Sequence, residues 1–332
     1  MKVLLLGSTG LLGHNVLLRL LDGGHSVVAL VRNADVLAKE ASNPALTLLK
    51  GSLIDANVLR QALDGCDAIV NCAGTTDMSL LRYEDYLPVN RDLPMKLLQL
   101  MDELQIRSLV HVSTANTVGN GTTDSLGIES GAMQPPFSRS YYAMSKAEAE
   151  NILTDSARKH PDRHIVIVNP GFIVGPYDIH PSSGRLLLAA YNRRLMAVPR
   201  GGKSFVHVYD VAQAVVNAVT MGRNGERYLL TGTNMSLRDF YALQSRVCGY
   251  KQRIAVLPNW MVGIAGYVGD FLRLMHVKTQ LATRNVRLLM PMEYYSNEKA
   301  RRELQMPDTH VETAIADFFY WYKNRTKQQN HA

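Results

Sequence analysis

The stretch LLLGSTGLLGHNVLLRLL, at positions 4–21, decides the fold because it joins two apolar segments through a turn that contains three glycines. The residues KVLLLG form a short aliphatic run, which is typical of a parallel strand buried on both faces. The following LLGHNVLLRLLDGG has helical periodicity and ends at a glycine stop. The stretch therefore predicts a strand, a glycine turn and a helix.

Three glycines at such a turn have separate physical roles. One allows the tight turn, one lets the main chain approach a pyrophosphate, and one lets the helix pack closely on the strand. The start of the helix offers free N–H groups and the positive end of its dipole to the phosphates. We therefore expect a dinucleotide at this turn. The predicted contacts are Gly7, Ser8, Thr9, Gly10, Leu11, Leu12 and Gly13.

The residue after the second aliphatic run bears on the choice of cofactor. HSVVALV, at 25–31, completes a β-α-β unit and is followed by Arg32. An acidic residue there would accept hydrogen bonds from a ribose 2′-hydroxyl, whereas a guanidinium pairs with a 2′-phosphate. Arg32 therefore favours NADP(H). NAD(H) stays open as the alternative, because Asp35 lies close by and Arg32 could be a solvated arginine at a strand end.

Strands and helices continue to alternate through the first half of the chain. ALTLLKGSLID, DAIVNCAG and SLVHVSTANTVG each contain a strand, and helical stretches at 56–64 and 89–104 lie between them. This order predicts an α/β fold with a doubly wound parallel sheet, in which ligands bind beyond the carboxyl ends of the strands. Further cofactor contacts are expected from Leu53, Asp55, Cys72, Ala73 and Gly74.

A tyrosine and a lysine in YYAMSK, at 141–146, lie one helical turn apart. Tyr142 and Lys146 share one face of the predicted helix because they are four residues apart. An unperturbed tyrosine has a pKa of about 10. A neighbouring ammonium and a positive nicotinamide ring would favour the phenolate and bring that pKa toward the working range of an acid or base.

These motifs together resemble the extended short-chain dehydrogenase/reductase superfamily, in its NAD-dependent epimerase/dehydratase family. The motifs are GSTGLLG at 7–13, STA at 113–115, YYAMSK, NPGFIVGP at 169–176 and FVHVYDVAQAV at 205–215, and YYSNEKARREL at 294–304 looks like the C-terminal helix of that family. The resemblance implies a Rossmann fold, with a smaller C-terminal substrate-binding lobe.

The resemblance also implies roles for individual residues. Tyr142 would be the general acid/base, Lys146 would lower its pKa and hold the nicotinamide ribose, and Thr114 would orient the substrate oxygen. Asn90 would sit behind the active site. Thr114 replaces the usual serine, and NCAG replaces a more common His-x-Ala-Ala. The segment from Pro170 to Ile173, with Pro170, Gly171 and Ile173 as contacts, would lie along the nicotinamide, and Ser113 would also contact the cofactor.

The branch that the chain resembles contains dihydroflavonol reductases and 3-beta-hydroxysteroid dehydrogenases. This resemblance implies an enzyme that moves hydride between NADP(H) and a ketone or secondary alcohol of a small, hydrophobic substrate. One alternative is a nucleotide-sugar epimerase or dehydratase with tightly bound NAD, and another is a non-catalytic NADPH sensor. Phosphates of a nucleotide sugar could bind arginines that are otherwise solvated. These are Arg185, Arg193, Arg194 and Arg200.

We divide the chain into a cofactor domain, 1–176, completed by 205–222, and a substrate lobe, 177–204 with 223–325, followed by a polar tail, 326–332. The apolar spacing at 260–275 favours packing in a core over contact with a membrane. Residues apolar enough to line a substrate pocket are Tyr177, His180, Met196, Trp260, Tyr267 and Phe271.

Composition narrows the remaining classes. The chain has 332 residues, three scattered cysteines and a net charge of +7. The cysteines indicate neither a disulfide framework nor a metal site, so we expect no metal and a reducing, cytoplasmic location. The basic residues are dispersed, which argues against a nucleic-acid partner. We expect no integral membrane segment, and a homodimer could form through the helices near 89–104 and 141–159.

Overall fold

The computed structural model describes residues 1–77, 80–179, 182–275 and 287–330. The strands are β1 (Lys2–Leu6), β2 (Ser26–Val31), β3 (Leu46–Lys50), β4 (Ala68–Asn71), β5 (Ser108–Val112), β6 (His164–Pro170), β7 (Phe172–Val174), β8 (Leu195–Pro199), β9 (Gly202–His207), β10 (Arg227–Leu230), β11 (Thr233–Ser236), β12 (Arg253–Leu257) and β13 (Met292–Glu293). The described helices are α1 (Leu11–Asp22), α2 (Ala56–Leu63), α3 (Leu93–Leu104), α4 (Tyr141–Lys159), α5 (Gly184–Ala190), α6 (Val208–Asn217), α7 (Leu237–Val247), α8 (Asn259–Leu274), α9 (Glu298–Glu303) and α10 (Val311–Asn330).

The main sheet has seven strands in the order β10-β6-β5-β4-β1-β2-β3, all parallel. Strand β1 lies at its centre, and Leu4 pairs with Val28 on one side and Ile69 on the other. The strand order reverses between β1 and β4, which is where ligands bind in such sheets. The predicted doubly wound parallel sheet is confirmed.

Helices cover both faces of this sheet because successive side chains of a strand point to opposite sides. Leu5 of β1 packs into a core formed with α1 and α6, whereas Leu4 and Leu6 pack into a core formed with α2, α3 and α4. All three leucines are fully buried. The continuous aliphatic run of β1 is therefore explained by burial on both faces.

A smaller lobe stands beside the sheet. Strand β9 pairs with β7, β11 and β13, while β8 pairs with β12, and helices α5, α7 and α10 pack into a third core. Strand β10 lies in the main sheet, whereas the predicted domain division places 223–325 in the lobe. The local pattern RYLL indicates a strand but not the sheet that it joins.

Helix α8 differs from its predicted packing. Its Trp260 and Tyr267 are 67% and 63% exposed, so the expectation that they pack in a core is wrong. Helical spacing identifies a shared face but not whether that face meets protein or solvent. His180 and the side chain of Phe271 lie outside the described residues. Of the helices that are described, none has both the length and the apolar character to cross a membrane.

Candidate active site

The glycine turn after β1 brings three elements into close contact. Gly7 has a φ of +79°, a left-handed conformation that favours glycine, and a Cβ there would lie 2.7 Å from the Ala73 nitrogen at the end of β4. A Cβ on Gly13 would overlap the carbonyl oxygen of Gly7. Both glycines are therefore required by the packing of β1, β4 and α1.

Gly10 has no such packing requirement. It is exposed, and a Cβ there would meet only the Gly7 carbonyl oxygen, at an ordinary contact distance of 3.5 Å. Gly10 is the N-cap of α1, where the first helical N–H groups have no acceptor within the helix. This bare, amide-lined helix start fits a pyrophosphate, whose close approach would account for a glycine at this position.

The remaining predicted cofactor residues follow the carboxyl ends of neighbouring strands. Arg32 directly follows β2, is exposed and forms no ion pair within the described ranges. Asp55 caps α2, where its carboxylate accepts hydrogen bonds from the amides of Asn57 and Val58. The other residues after the strands are Leu53 after β3, Cys72, Ala73 and Gly74 after β4, Ser113 and Thr114 after β5, and Gly171 and Ile173 after Pro170, the last residue of β6.

The structure brings the Tyr142 and Thr114 hydroxyl groups together. Tyr142 lies in the first turn of α4, and Thr114 follows β5, where it caps a short 3₁₀ turn. Burial raises the pKa of Tyr142 to about 12, and a hydrogen bond with the Thr114 side chain opposes that rise. The phenol therefore keeps its proton at neutral pH.

Lys146 lies one turn further along α4 and is 2% exposed. Its ammonium donates hydrogen bonds to the carbonyl oxygens of Val112, at 2.9 Å, and Ala73, at 3.5 Å. Burial lowers its pKa to about 8, although the Glu150 carboxylate acts in the opposite direction. The described contacts of this ammonium are with main-chain carbonyls at the ends of β4 and β5, so they fix Lys146 beside the sheet edge.

Asn90 holds the loop after β4 against α4. It is fully buried in a π-helical segment, Pro88–Asp92, that precedes α3. Its Oδ1 accepts from the Thr75 amide at 2.8 Å, and its Nδ2 donates to the Thr75 carbonyl and the Ser145 hydroxyl. Both ends of the amide are therefore occupied by protein groups.

A buried carboxylate that the sequence analysis missed organises the same region. Glu150 of α4 is 3% exposed, and its Oε1 accepts hydrogen bonds from the side chains of Ser113, Thr117 and Asn169. Its Oε2 lies 3.4 Å from a guanidinium nitrogen of Arg227 on β10. Glu150 thus ties the end of β5 to α4, β6 and β10.

Two signals in the sequence could have identified Glu150. It lies four residues after Lys146 and eight after Tyr142, so all three share one face of α4. Asn169 is a polar residue in the otherwise aliphatic run IVIVN, where a buried amide needs a partner. Neither signal indicates that these two residues meet, since that depends on the packing of α4 against β6.

Comparison with known proteins identifies the family. The model of the NAD dependent epimerase/dehydratase family matches residues 3–230. The chain belongs to this family. Sterol demethylase protein B of Methylococcus capsulatus is 29% identical over 330 residues, which cover 98% of this chain and 99% of that protein. The 4-hydroxy-2-methyl-3-oxo-4-farnesyl-3,4-dihydroquinoline-1-oxide ketoreductase of Stigmatella aurantiaca is 29% identical over 321 residues, covering 92% of this chain and 91% of that protein.

Solved structures show the same fold in this epimerase/dehydratase family. A dTDP-glucose 4,6-dehydratase of Streptomyces venezuelae, solved with NAD bound, superposes with a TM-score of 0.76 at 21% identity and covers 97% of both chains. The family match and the related reductases and dehydrogenases establish an NAD(P)-dependent oxidoreductase of the extended short-chain dehydrogenase/reductase type.

The two classes of glycine predict different defects. Gly10→Ala should fold normally but bind the nicotinamide cofactor at least about tenfold more weakly, because the methyl group occupies the phosphate approach. Gly13→Ala should lose stability, because its Cβ overlaps the Gly7 carbonyl oxygen. Thermal unfolding and fluorescence titration with cofactor measure both. Normal cofactor affinity in folded Gly10→Ala would contradict the assignment of the phosphate site.

Glu150 predicts a shift in the pH dependence of the site. Its carboxylate raises the pKa of Lys146, so Glu150→Gln should lower that pKa further, below its value of about 8. Lys146 then loses its charge at lower pH, and cofactor affinity should begin to fall at lower pH. Titrations with cofactor between about pH 6 and 10 measure the pH at which affinity begins to fall.

Arg227→Gln is the matched control for that shift. It removes the other charge of the pair but leaves the carboxylate and its three hydrogen-bond donors in place. The affinity of this variant for the cofactor should begin to fall at nearly the same pH as that of the wild type. If the cofactor affinity of Glu150→Gln falls at the same pH as that of the wild type, Glu150 does not set the charge of Lys146.

Proposed function

We propose that this enzyme transfers hydride between NADP(H) and a ketone or secondary alcohol of a small, hydrophobic substrate. The observation that carries the proposal is that the side chains of Tyr142 and Thr114 interact at the carboxyl edge of the sheet, with the Lys146 ammonium one turn further along α4 fixed on the carbonyls of Val112 and Ala73. When bound, the nicotinamide supplies or accepts the hydride. The chain itself must orient the substrate oxygen and move one proton.

Tyr142 and Thr114 suit these two tasks in the direction of reduction. Both hydroxyl groups can donate hydrogen bonds to a carbonyl oxygen, which favours the negative charge that develops there as hydride arrives at carbon. The Tyr142 phenol then gives its proton to that oxygen, so carbonyl, hydride and proton form an alcohol. Because its pKa is raised to about 12, the proton donor is present throughout the neutral range.

Arg32 supports NADP(H) as the cofactor. Its exposed guanidinium lies directly after β2, next to the sheet position where the adenine ribose binds in this fold, and no described acidic group neutralises it. A 2′-phosphate would provide the anion for this cation. The Lys146 ammonium, fixed at the ends of β4 and β5, would hold the nicotinamide ribose.

An apolar substrate is supported by the names of two relatives. These names include sterol and farnesyl groups, both largely hydrocarbon.

The epimerase or dehydratase with tightly bound NAD is the second candidate, favoured by the likeness to the NAD-bound dehydratase. The nucleoside diphosphate of such a substrate would need cationic side chains that are enclosed in a pocket. The four arginines considered for that role are all exposed, which favours their interpretation as solvated residues. They are Arg185, Arg193, Arg194 and Arg200. A non-catalytic sensor would have no use for the paired hydroxyls.

Tyr142→Phe tests the proton transfer. The variant keeps the ring but has no proton to give, so its rate of ketone reduction should fall by at least about 100-fold while cofactor affinity changes less than about twofold. In the wild type, the rate of reduction should not fall through loss of the Tyr142 proton below about pH 9, because burial raises the pKa of Tyr142 to about 12. Steady-state kinetics on the best ketone from a panel of steroids, flavonoids and aliphatic compounds measure both.

Tyr141→Phe is the matched control, since it removes the neighbouring phenol from the same helical turn. Its reduction rate should remain within about twofold of the wild type. Retention of more than half of the wild-type rate by Tyr142→Phe would overturn the assigned role.

Arg32→Gln tests the cofactor preference. Loss of a charge-assisted hydrogen bond of about 1.5–3 kcal/mol should weaken NADPH binding by at least about tenfold and leave NADH binding almost unchanged. Arg238→Gln, which alters an exposed arginine at the start of α7, serves as the control. Equal losses for NADPH and NADH in Arg32→Gln would show that Arg32 does not read the 2′-phosphate.

A further inference from the structure

The solvent-facing side of α8 is apolar from Trp260 to Val268, after an exposed Asn259 at the start of the helix. Positions 259–269, NWMVGIAGYVG, contain no charged side chain. The exposed residues recur with helical spacing and form one face, whereas Val262, Gly266 and Gly269 are buried on the other. The apolar face of α8 consists of Trp260 (67% exposed), Met261 (40%), Ile264 (54%), Tyr267 (63%) and Val268 (52%).

A continuous apolar face on a surface helix marks an interaction site, because isolated apolar residues are ordinary but clusters of large ones are not. The composition of this face indicates the kind of partner. Trp260 and Tyr267 are amphipathic aromatic residues, the type enriched where hydrocarbon meets water at a bilayer surface. Met261, Ile264 and Val268 add aliphatic surface between them.

Cations surround the strands that lead to this helix. Arg193 and Arg194 precede β8, Arg200 follows it, and Lys251 and Arg253 stand at the start of β12. All five are exposed, and none is in an ion pair with another described residue. These five residues are the basic cluster of the lobe.

The segments that hold this cluster contain no acidic residue. Positions 182–209 and 251–269 together carry seven lysines and arginines and no aspartate or glutamate. Lys203 differs from the other six because it is buried and paired with Glu293 from elsewhere in the chain. The whole chain has a net charge of +7, so the residues outside these two segments carry no net charge. The positive charge of this protein is therefore concentrated in the lobe that carries α8.

The topology places the basic cluster and the apolar face in one region. Strands β8 and β12 are parallel, with Leu195 paired to Arg253, and β12 ends two residues before α8 begins. The two-stranded ribbon is five residues long, about 15 Å, so its cationic start lies within that distance of its helix end. Leu195, at 72% exposure, adds an apolar residue to the ribbon.

We propose that the apolar face of α8 docks on the surface of an anionic lipid bilayer, with the basic cluster contacting the headgroups. Acidic lipids attract each nearby lysine or arginine by about 1 kcal/mol, and the apolar face enters the boundary between headgroups and acyl chains. A second copy of the chain fits less well, since a two-fold interface would bring two basic clusters together. This surface is separate from the Tyr142 site, and the proposal does not depend on the substrate.

The test measures binding of the full chain to vesicles. One set contains phosphatidylglycerol and phosphatidylcholine at about 3:7, and the other contains phosphatidylcholine alone. We expect co-sedimentation with the anionic vesicles, at least tenfold weaker binding to the neutral ones, and further weakening in high salt. Ile264→Glu and the double variant Arg193→Glu/Arg194→Glu should each lose at least about tenfold in affinity for the anionic vesicles.

A fluorescence reporter identifies the residues that enter the bilayer. The chain has two tryptophans, so Trp321→Phe leaves Trp260 as the single indole. Its emission should shift to shorter wavelength with anionic vesicles. Tyr320→Ala, which removes an equally exposed aromatic residue from α10, is the control and should bind like the wild type.

Three outcomes would overturn the proposal. The first is an absence of binding to anionic vesicles, and the second is binding that Ile264→Glu leaves intact in a folded protein. The third is a stable dimer, measured by light scattering, that Ile264→Glu dissociates while vesicles bind no wild-type protein, which would assign the apolar face of α8 to a second copy.

Discussion

The rest of the structure depends on the close approach of β1, β4 and α1 at Gly7. The positive φ of that residue reverses the chain immediately after a buried strand, and Gly13 lets the helix settle against the same carbonyl. The start of α1 is thereby fixed at the point where the strand order reverses, with its free amides facing outward. Gly10 is the exception among the three glycines, because the protein itself leaves room for a side chain there. The distinction separates the two glycines that the fold needs from Gly10, for which we propose a pyrophosphate contact.

A second constraint is the buried carboxylate of Glu150. Its hydrogen bonds from Ser113, Thr117 and Asn169 hold the end of β5 against α4, which are the two elements that carry Thr114 and Tyr142. A buried carboxylate is stable only where it is paired and hydrogen-bonded, and this one has both kinds of partner. The same charge acts on Lys146 in the helical turn before it and raises a pKa that burial lowers. Structural and electrostatic support of the site therefore come from one side chain.

Local sequence signals predicted the elements whose reasons are local. The glycine turn, the aliphatic strands and the one-turn spacing of Tyr142 and Lys146 are all features of a few consecutive residues. The strands, the turn and α4 form in the predicted stretches. Features that depend on packing were missed. The partners of Glu150 come from four separate elements, and β10 joins the main sheet from far along the chain. For α8 the apolar spacing was recognised, but its outward orientation follows from the lobe around it.

The enzyme is proposed to use a dissociable NADP(H) rather than a retained NAD. The most direct measurement is to denature the purified, dialysed protein, identify any nucleotide by mass spectrometry, and titrate the native protein with NADPH and NADH. We expect no bound nucleotide and at least about tenfold tighter binding of NADPH than of NADH, in line with one charge-assisted contact at Arg32. Stoichiometric NAD that survives dialysis would contradict it and would favour the epimerase or dehydratase.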